Sequence, residues 1–259
     1  MVSWEERKAS YNEHYFTTYS GMIKSNGEAA YIGHEERIIQ SVKILLDLTD
    51  AHSVLECGCA AGQFVYGFHL LDPNIVARGF DVSEFVIKHA PELIRSKLDI
   101  LDISDGLPYG DEEFELVLSF DMLEHLQDYK RIYRSVEETC RVSSKYVLLR
   151  IPMIAYFLPY AKDSSFAEKQ KVLTAWIASL NVLPHTVRLT LIDVHPYIKS
   201  VSPNLEVIEH PNEHPREFWI ECFKSCGFRE KAIPEKYYYY PNLLGLHSFN
   251  TLFFTKDKS

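Results

Sequence analysis

Residues 54–64 read VLECGCAAGQF, and the fold follows from how this stretch is parsed. With Ser53 it opens as a short apolar run, SVLEC, of the length and bounding expected for a buried strand. Gly58, Ala60 and Gly62 then stand at alternate positions, so the chain can turn sharply and its backbone can approach a ligand. From Phe64 to Leu71 the apolar spacing changes to that of a helix. Strand, small-residue turn and helix make half of a βαβ unit. A glycine turn of this kind is also built for purely structural reasons, so its neighbours decide what it means.

Upstream, Ile38, Ile39, Val42, Ile44, Leu45 and Leu48 recur at helical spacing from about residue 34 and stop at Asp50. Downstream, short apolar runs alternate with amphipathic stretches. VARGFD (76–81) precedes a helix from Ser83; KLDIL (97–101) and ELVLSF (115–120) follow; a helix from about Tyr129 to Arg141 leads into YVLLRI (146–151). Such alternation predicts an α/β fold of the Rossmann-like, doubly wound kind, with a mostly parallel sheet and helices on both faces. A helical extension is expected at the N-terminus. After Pro152 the regularity breaks, and residues 152–215 carry aromatics, prolines and histidines with one expected helix, SSFAEKQKVLTAWIASL (164–180). We read this segment as an insertion that caps the substrate site. REFWIECFKSCGF (216–228) restores the pattern with Gly227 as a helix C-cap, and NTLFFTK (250–256) is the expected last strand. The organisation expected is therefore one domain over 1–259, with a cofactor-binding core at 34–151, a cap at 152–215 and a closing helix and strands at 216–259. The Tyr237–Tyr240 run reads as strand or packed loop.

The totals narrow the function classes. The 259 residues are 46% hydrophobic and 24% charged, with formal net charge -9. That composition is of a globular protein, and the acidity disfavours nucleic acid and anionic membranes as partners. Five cysteines, thinly spread, do not form a disulfide framework, and no apolar run approaches a membrane helix. A cytoplasmic location is expected. The Cys57/Cys59 and Cys222/Cys226 pairs read as small core residues rather than metal ligands.

At the end of the second strand, GFDVS places Asp81 about twenty residues beyond the turn, where a carboxylate can accept from both ribose hydroxyls of a nucleotide cofactor. A helix cap is the alternative for such a residue, although Ser83 can fill it. The acid inside the turn motif, Glu56, together with LPYGDEEFELVLSFDMLEHL (107–126), separates the pattern from that of NAD enzymes. With these residues the chain resembles class I S-adenosylmethionine-dependent methyltransferases over roughly residues 34–151. It is closest in character to small-molecule or glycan methyltransferases.

The resemblance implies a seven-stranded sheet and a cofactor, S-adenosylmethionine, that leaves as S-adenosylhomocysteine. It implies that Glu56, Gly58, Ala60 and Gly62 line the methionine part, that Asp81 holds the ribose, and that Val82 flanks the adenine. Asp102 would face the adenine amino group, with Asp99 its rival. Phe120 and Asp121 would stand beside the sulfonium, with Leu123, Glu124 and His125 opening the next helix and His125 packing there. Ala60 departs from the family's usual glycine.

Methyl transfer is an in-line displacement, so the protein positions the acceptor and, for a hydroxyl, removes a proton. The insertion holds His185 and His195, and EHPNEHPREFW (209–219) holds His210 and His214 beside Glu209 and Glu213. His210 and His214 are the expected catalytic bases, or packed or exposed loop residues. A divalent metal on these groups is an alternative without support from spacing. The expected reaction is methylation of a small-molecule or glycan hydroxyl, with nitrogen or carboxyl methylation, a non-catalytic cofactor-binding protein, and an NAD enzyme as alternatives.

Overall fold

The computed structural model describes residues 3–126, 128–151, 214, 216–237 and 251–257. Two N-terminal pieces precede the sheet. Helix α1, Trp4–Ser10, starts with a capping box in which Ser3 Oγ accepts from Glu6 N–H while the Glu6 carboxylate accepts from Ser3 N–H. A short π-helical turn follows at Tyr15–Tyr19. Helix α2, Glu35–Thr49, buries Ile38, Val42, Ile44 and Leu45, the stripe that its apolar spacing predicts, and ends at Asp50 in the left-handed conformation.

Strand β1 is Ser53–Cys57, helix α3 Gln63–Leu71 and strand β2 Val76–Asp81. Two short helices, α4 Glu84–Lys88 and α5 Glu92–Arg95, lead to β3, Leu98–Ile100. Strand β4 is Phe114–Phe120, helix α6 Tyr129–Val142 and strand β5 Ser143–Arg150. Beyond the insertion come helix α7, Arg216–Ser225, strand β6, Phe228–Glu230, and strand β7, Thr251–Lys256.

The seven strands lie in the order β3-β2-β1-β4-β5-β7-β6. The first five pair parallel and β7 runs antiparallel to both neighbours. This is the doubly wound, mostly parallel sheet expected from the alternation. The chain starts at β1, moves to one edge, and returns to β4, so the strand order reverses between β1 and β4. Ligands bind at such switch points, beyond the carboxyl ends of the strands.

Both faces of the sheet are covered, which is why β4 is buried along almost its whole length without alternation. One apolar layer packs α2 and α3 through Ile38, Val42, Leu45, Phe64 and Phe68. The other packs α6 and α7 through Ile132, Val136, Trp219 and Phe223. Gly227 sits at φ +81° and its N–H bonds to the Lys224 carbonyl, so it terminates α7 as expected.

One local reading differs from expectation. Leu123, Glu124 and His125 form an isolated 3-10 turn, and α6 begins only after Asp128, whose carboxylate caps Arg131 N–H. A side-chain cap fixes the helix start more strongly than the family pattern does. Strand β6, three residues long with two of them exposed, completes the seven expected strands, although the sequence pattern assigns it no range. The helix expected at 164–180, the rest of the cap from 152 to 213, and Tyr238–Tyr240 lie outside the described residues.

Candidate active site

The turn after β1 is made by three left-handed residues in a span of five: Gly58 at φ +67°, Ala60 at +48° and Gly62 at +77°. At Gly58 the requirement is doubled, because a Cβ there would meet Met122 Cγ at 2.5 Å. Ala60 pays for the same backbone geometry with a methyl that the left-handed region disfavours. Ala60→Gly is therefore expected to raise stability by about 1 kcal/mol, read as an upward shift in the urea midpoint with unchanged slope.

The turn is tied to β2 by two backbone donors. Cys59 N–H bonds to the Phe80 carbonyl at 2.9 Å, and Ala60 N–H bonds to Asp81 Oδ2 at 2.9 Å. Asp81 Oδ1 accepts from Ser83 N–H at 2.9 Å, while Ser83 Oγ caps α4. The Asp81 carboxylate is thus oriented by backbone on both oxygens, is only 9% exposed, and has its acidity weakened by burial. Val82 N–H bears on the same carboxylate, which keeps acceptor capacity for a further donor.

Glu56, at 5% exposure, is the more unusual acid. It accepts from the N–H groups of Phe64 and Val65 in the first turn of α3, yet burial outweighs them and pushes its carboxyl up to about 8. Its Oε2 is buried without a hydrogen-bond partner among the described residues. Orphaned buried acceptors are rare and call for an explanation such as a bound group.

Both acids line a cavity of about 350 Å³ at the β1/β4 switch point. Gly58, Ala60, Val82, Asp102, Phe120 and Asp121 line it as well. Gly62, the remaining residue expected there, is absent from the lining. It serves the turn, where a Cβ would meet Ile94 and Leu98 at 2.8 Å. Phe120 meets Phe64 edge-on at 5.2 Å and carries the Arg150 guanidinium 4.9 Å above its ring. Asp121, at φ +51°, donates its N–H to the Arg150 carbonyl, and its carboxylate accepts from Arg150 Nε at 2.9 Å.

Asp102, expected to face the adenine, is bonded on both oxygens within the chain. Its Oδ2 accepts from Trp4 Nε1 at 2.6 Å and lies 3.3 Å from Lys8 Nζ, and its Oδ1 accepts from both Ser104 N–H and Ser104 Oγ. Four donors fill the roughly four lone-pair sites of a carboxylate, so an adenine amino group would have to displace one of them. Although burial acts the other way, these partners hold its carboxyl below the usual range. Asp99, the rival, bonds to Arg78 and Tyr109 and is not among the cavity's lining residues.

The N-terminal segment roofs the cavity, and sequence reasoning missed it. Trp4, Tyr11, Tyr15, Phe16, Met22 and Tyr31 all line the space. Besides the Trp4 bond, Ser83 Oγ donates to the Tyr11 carbonyl and the Tyr31 hydroxyl to the Ala61 carbonyl, each at 2.6 Å. The one available signal was the aromatic density of YNEHYFTTYS at 11–20, which has no clean period.

This fold and this cradle have known counterparts. A family profile described as a methyltransferase domain matches residues 48–187. The chain belongs to the methyltransferase-domain family. Among solved structures, this methyltransferase is similar to magnesium protoporphyrin IX methyltransferase from Synechocystis PCC 6803 with bound S-adenosylhomocysteine. The two share 12% identity and a TM-score of 0.58, over 98% of this chain and 100% of that one. The same enzyme with bound S-adenosylmethionine gives 12% identity and 0.52, with 97% of each chain covered. These likenesses show the class I S-adenosylmethionine-dependent methyltransferase fold. The search of curated proteins returned no match.

Of the two expected bases, His210 lies outside the described residues. His214 lies in an aromatic cluster of this methyltransferase, its ring centroid 4.0 Å from that of Phe218 and 5.4 Å from that of Tyr129. It is 1% exposed, burial pushes its imidazole down to about 3, and it is not among the cavity's lining residues. Among the described residues, the histidine that does line the cavity is His125, whose ring meets Tyr11 edge-on at 5.7 Å. Among the described residues no group of three or more His, Cys, Asp or Glu is placed to hold a metal ion, and no helix is long and apolar enough to cross a membrane.

Proposed function

We propose that the chain methylates a small-molecule or glycan hydroxyl at this cavity, with S-adenosylmethionine as donor. The observation that carries the donor assignment is the orphaned Glu56 Oε2 in the wall of a cavity that also presents the backbone-oriented carboxylate of Asp81. A buried acid without a partner suits the ammonium of the methionine part, and the remaining acceptor capacity of a pre-set carboxylate suits the ribose hydroxyls. When bound, S-adenosylmethionine supplies an electrophilic methyl group on a sulfonium.

The chain's own residues do the rest. Gly58 and Ala60 let the backbone come close; Phe120 and the aromatics of the N-terminal segment form apolar walls that exclude water. Because His125 lines the cavity and His214 does not, we assign His125 the task of taking a proton from an acceptor hydroxyl. The acidity of the whole chain supports a small neutral acceptor over a nucleic acid.

Calorimetric titration with S-adenosylmethionine, S-adenosylhomocysteine and NAD tests the donor. Binding of both sulfur ligands without NAD binding is expected. NAD binding with no response to either sulfur ligand would overturn the reading. Turnover of radiolabelled donor over a panel of hydroxyl, amine and carboxyl compounds then sorts the acceptor class.

A further inference from the structure

The amino-acid end of S-adenosylmethionine is a zwitterion. Glu56 suits its ammonium, and its carboxylate needs a cation or a set of converging N–H donors. The turn after β1 has three of its N–H groups already engaged: Cys59 with the Phe80 carbonyl, Ala60 with Asp81 Oδ2 and Gly62 with the Cys59 carbonyl. Among the described lining residues the acids are Glu56, Asp81, Asp102 and Asp121, and the side chain with a permanent positive charge is Arg150.

The sheet sets Arg150 on the same side as Glu56. Strands β1, β4 and β5 are neighbours, with Glu56 opposite Leu118, Leu118 opposite Leu148 and Phe120 opposite Arg150. Side chains alternate along a strand, so Glu56, Phe120 and Arg150 emerge on one face, the face on which Leu118, Leu148 and Phe120 join the α3 layer. With strands about 4.8 Å apart, the Arg150 backbone stands roughly 10 Å across the sheet from that of Glu56, with β4 between them. The guanidinium lies 4.9 Å from the centre of the Phe120 ring. Asp121 Oδ2 steadies it there, accepting from Nε at 2.9 Å and from Nη2 at 2.5 Å. One edge of a planar donor set that matches a carboxylate is thus fixed in place.

We propose, on the reading of this cavity as the S-adenosylmethionine site, that Arg150 holds the cofactor's carboxylate while Glu56 holds its ammonium. The two side chains grip the zwitterion from β5 and from β1, with Phe120 of β4 between them. The consequence is selectivity among adenosyl sulfur compounds. Those with an intact amino-acid end are favoured over those that carry the amine alone.

Calorimetric titration of the full-length chain compares S-adenosylhomocysteine with its decarboxylated analogue, which keeps the amine, and with 5′-methylthioadenosine, which lacks both groups. The wild type is expected to bind S-adenosylhomocysteine about 10- to 150-fold more tightly than the decarboxylated analogue, the effect of hydrogen bonding to a charged group. Arg150→Met should abolish that preference, weakening S-adenosylhomocysteine while leaving the analogue nearly unchanged. Because this variant takes a partner from Asp121, Arg150→Met/Asp121→Asn is the control and should show the same loss of preference. Arg150→Lys keeps the charge without the fork and should keep part of it. Equal binding of the two ligands by the wild type would overturn the inference. So would a preference that survives in Arg150→Met, or a loss there that falls equally on both ligands. Should the methionine variants not fold, the wild-type comparison and Arg150→Lys decide, an undiminished preference in Arg150→Lys overturning the inference. Binding of none of the three compounds would instead remove the cofactor reading itself, and this inference with it.

Discussion

Replacing Asp81 by alanine is expected to weaken S-adenosylhomocysteine binding by roughly 2–4 kcal/mol, about 30- to 1000-fold, through loss of two hydrogen bonds to a charged acceptor. The structure adds a second consequence. Ala60 N–H and Ser83 N–H both end on this carboxylate, so alanine also strands two donors and lowers the stability of the free protein. Asp81→Asn separates the two effects. Its carbonyl oxygen can still serve one backbone donor, so a larger share of stability than of affinity should survive. Calorimetry on both variants, with melting temperatures alongside, checks this; unchanged affinity in Asp81→Ala would remove the residue from the site.

The second large effect is a proton linkage at Glu56. With its carboxyl raised from 4.5 to about 8, Glu56 is neutral at pH 7 in the protein without cofactor. The unfolded chain ionises near 4.5, so the folded state holds the extra proton between these values. The stability this group contributes is full below pH 4.5 and is lost as pH rises through about 8. An ammonium beside Oε2 favours the carboxylate and reverses the preference. Binding should therefore release a proton, and affinity should climb with pH by up to about tenfold per unit before levelling near 8. Titrations in buffers of different ionisation heat measure the proton. Glu56→Gln provides the control, since the ligand's own amine titrates alike in both proteins. Equal proton release from the two would show that Glu56 does not ionise on binding.

What could be read from the sequence follows the range of the forces involved. The β1 turn was legible because three small residues in five positions encode backbone geometry locally, and the structure puts all three in the left-handed region. Asp81 was legible for the same reason, its spacing from the turn being set by one helix and one strand. The bonds that hold Asp102 were not legible, because its partners, Trp4 and Lys8, come from about a hundred residues upstream. His214 looked available in a polar, proline-bounded stretch, and only the packing of α7 against α6 shows that its ring is enclosed by Tyr129, Phe218 and Trp219. The roof from 4 to 31 was invisible as a unit. Its aromatics follow no single period and acquire a common purpose only through contacts with the turn and with Ser83 and Asp102, just beyond β2 and β3.

The three anchors of that roof end on Asp102, Ser83 and Ala61, residues that are themselves in or beside the cradle for the donor. Floor and ceiling are thus mechanically one object. Whatever steadies the cradle steadies the roof, and a second reactant entering afterwards meets a chamber already assembled. The expected outcome is an order of arrival, cofactor before acceptor, without a dedicated switch. Product inhibition patterns would record it as a compulsory sequence in which the spent cofactor is the last to leave.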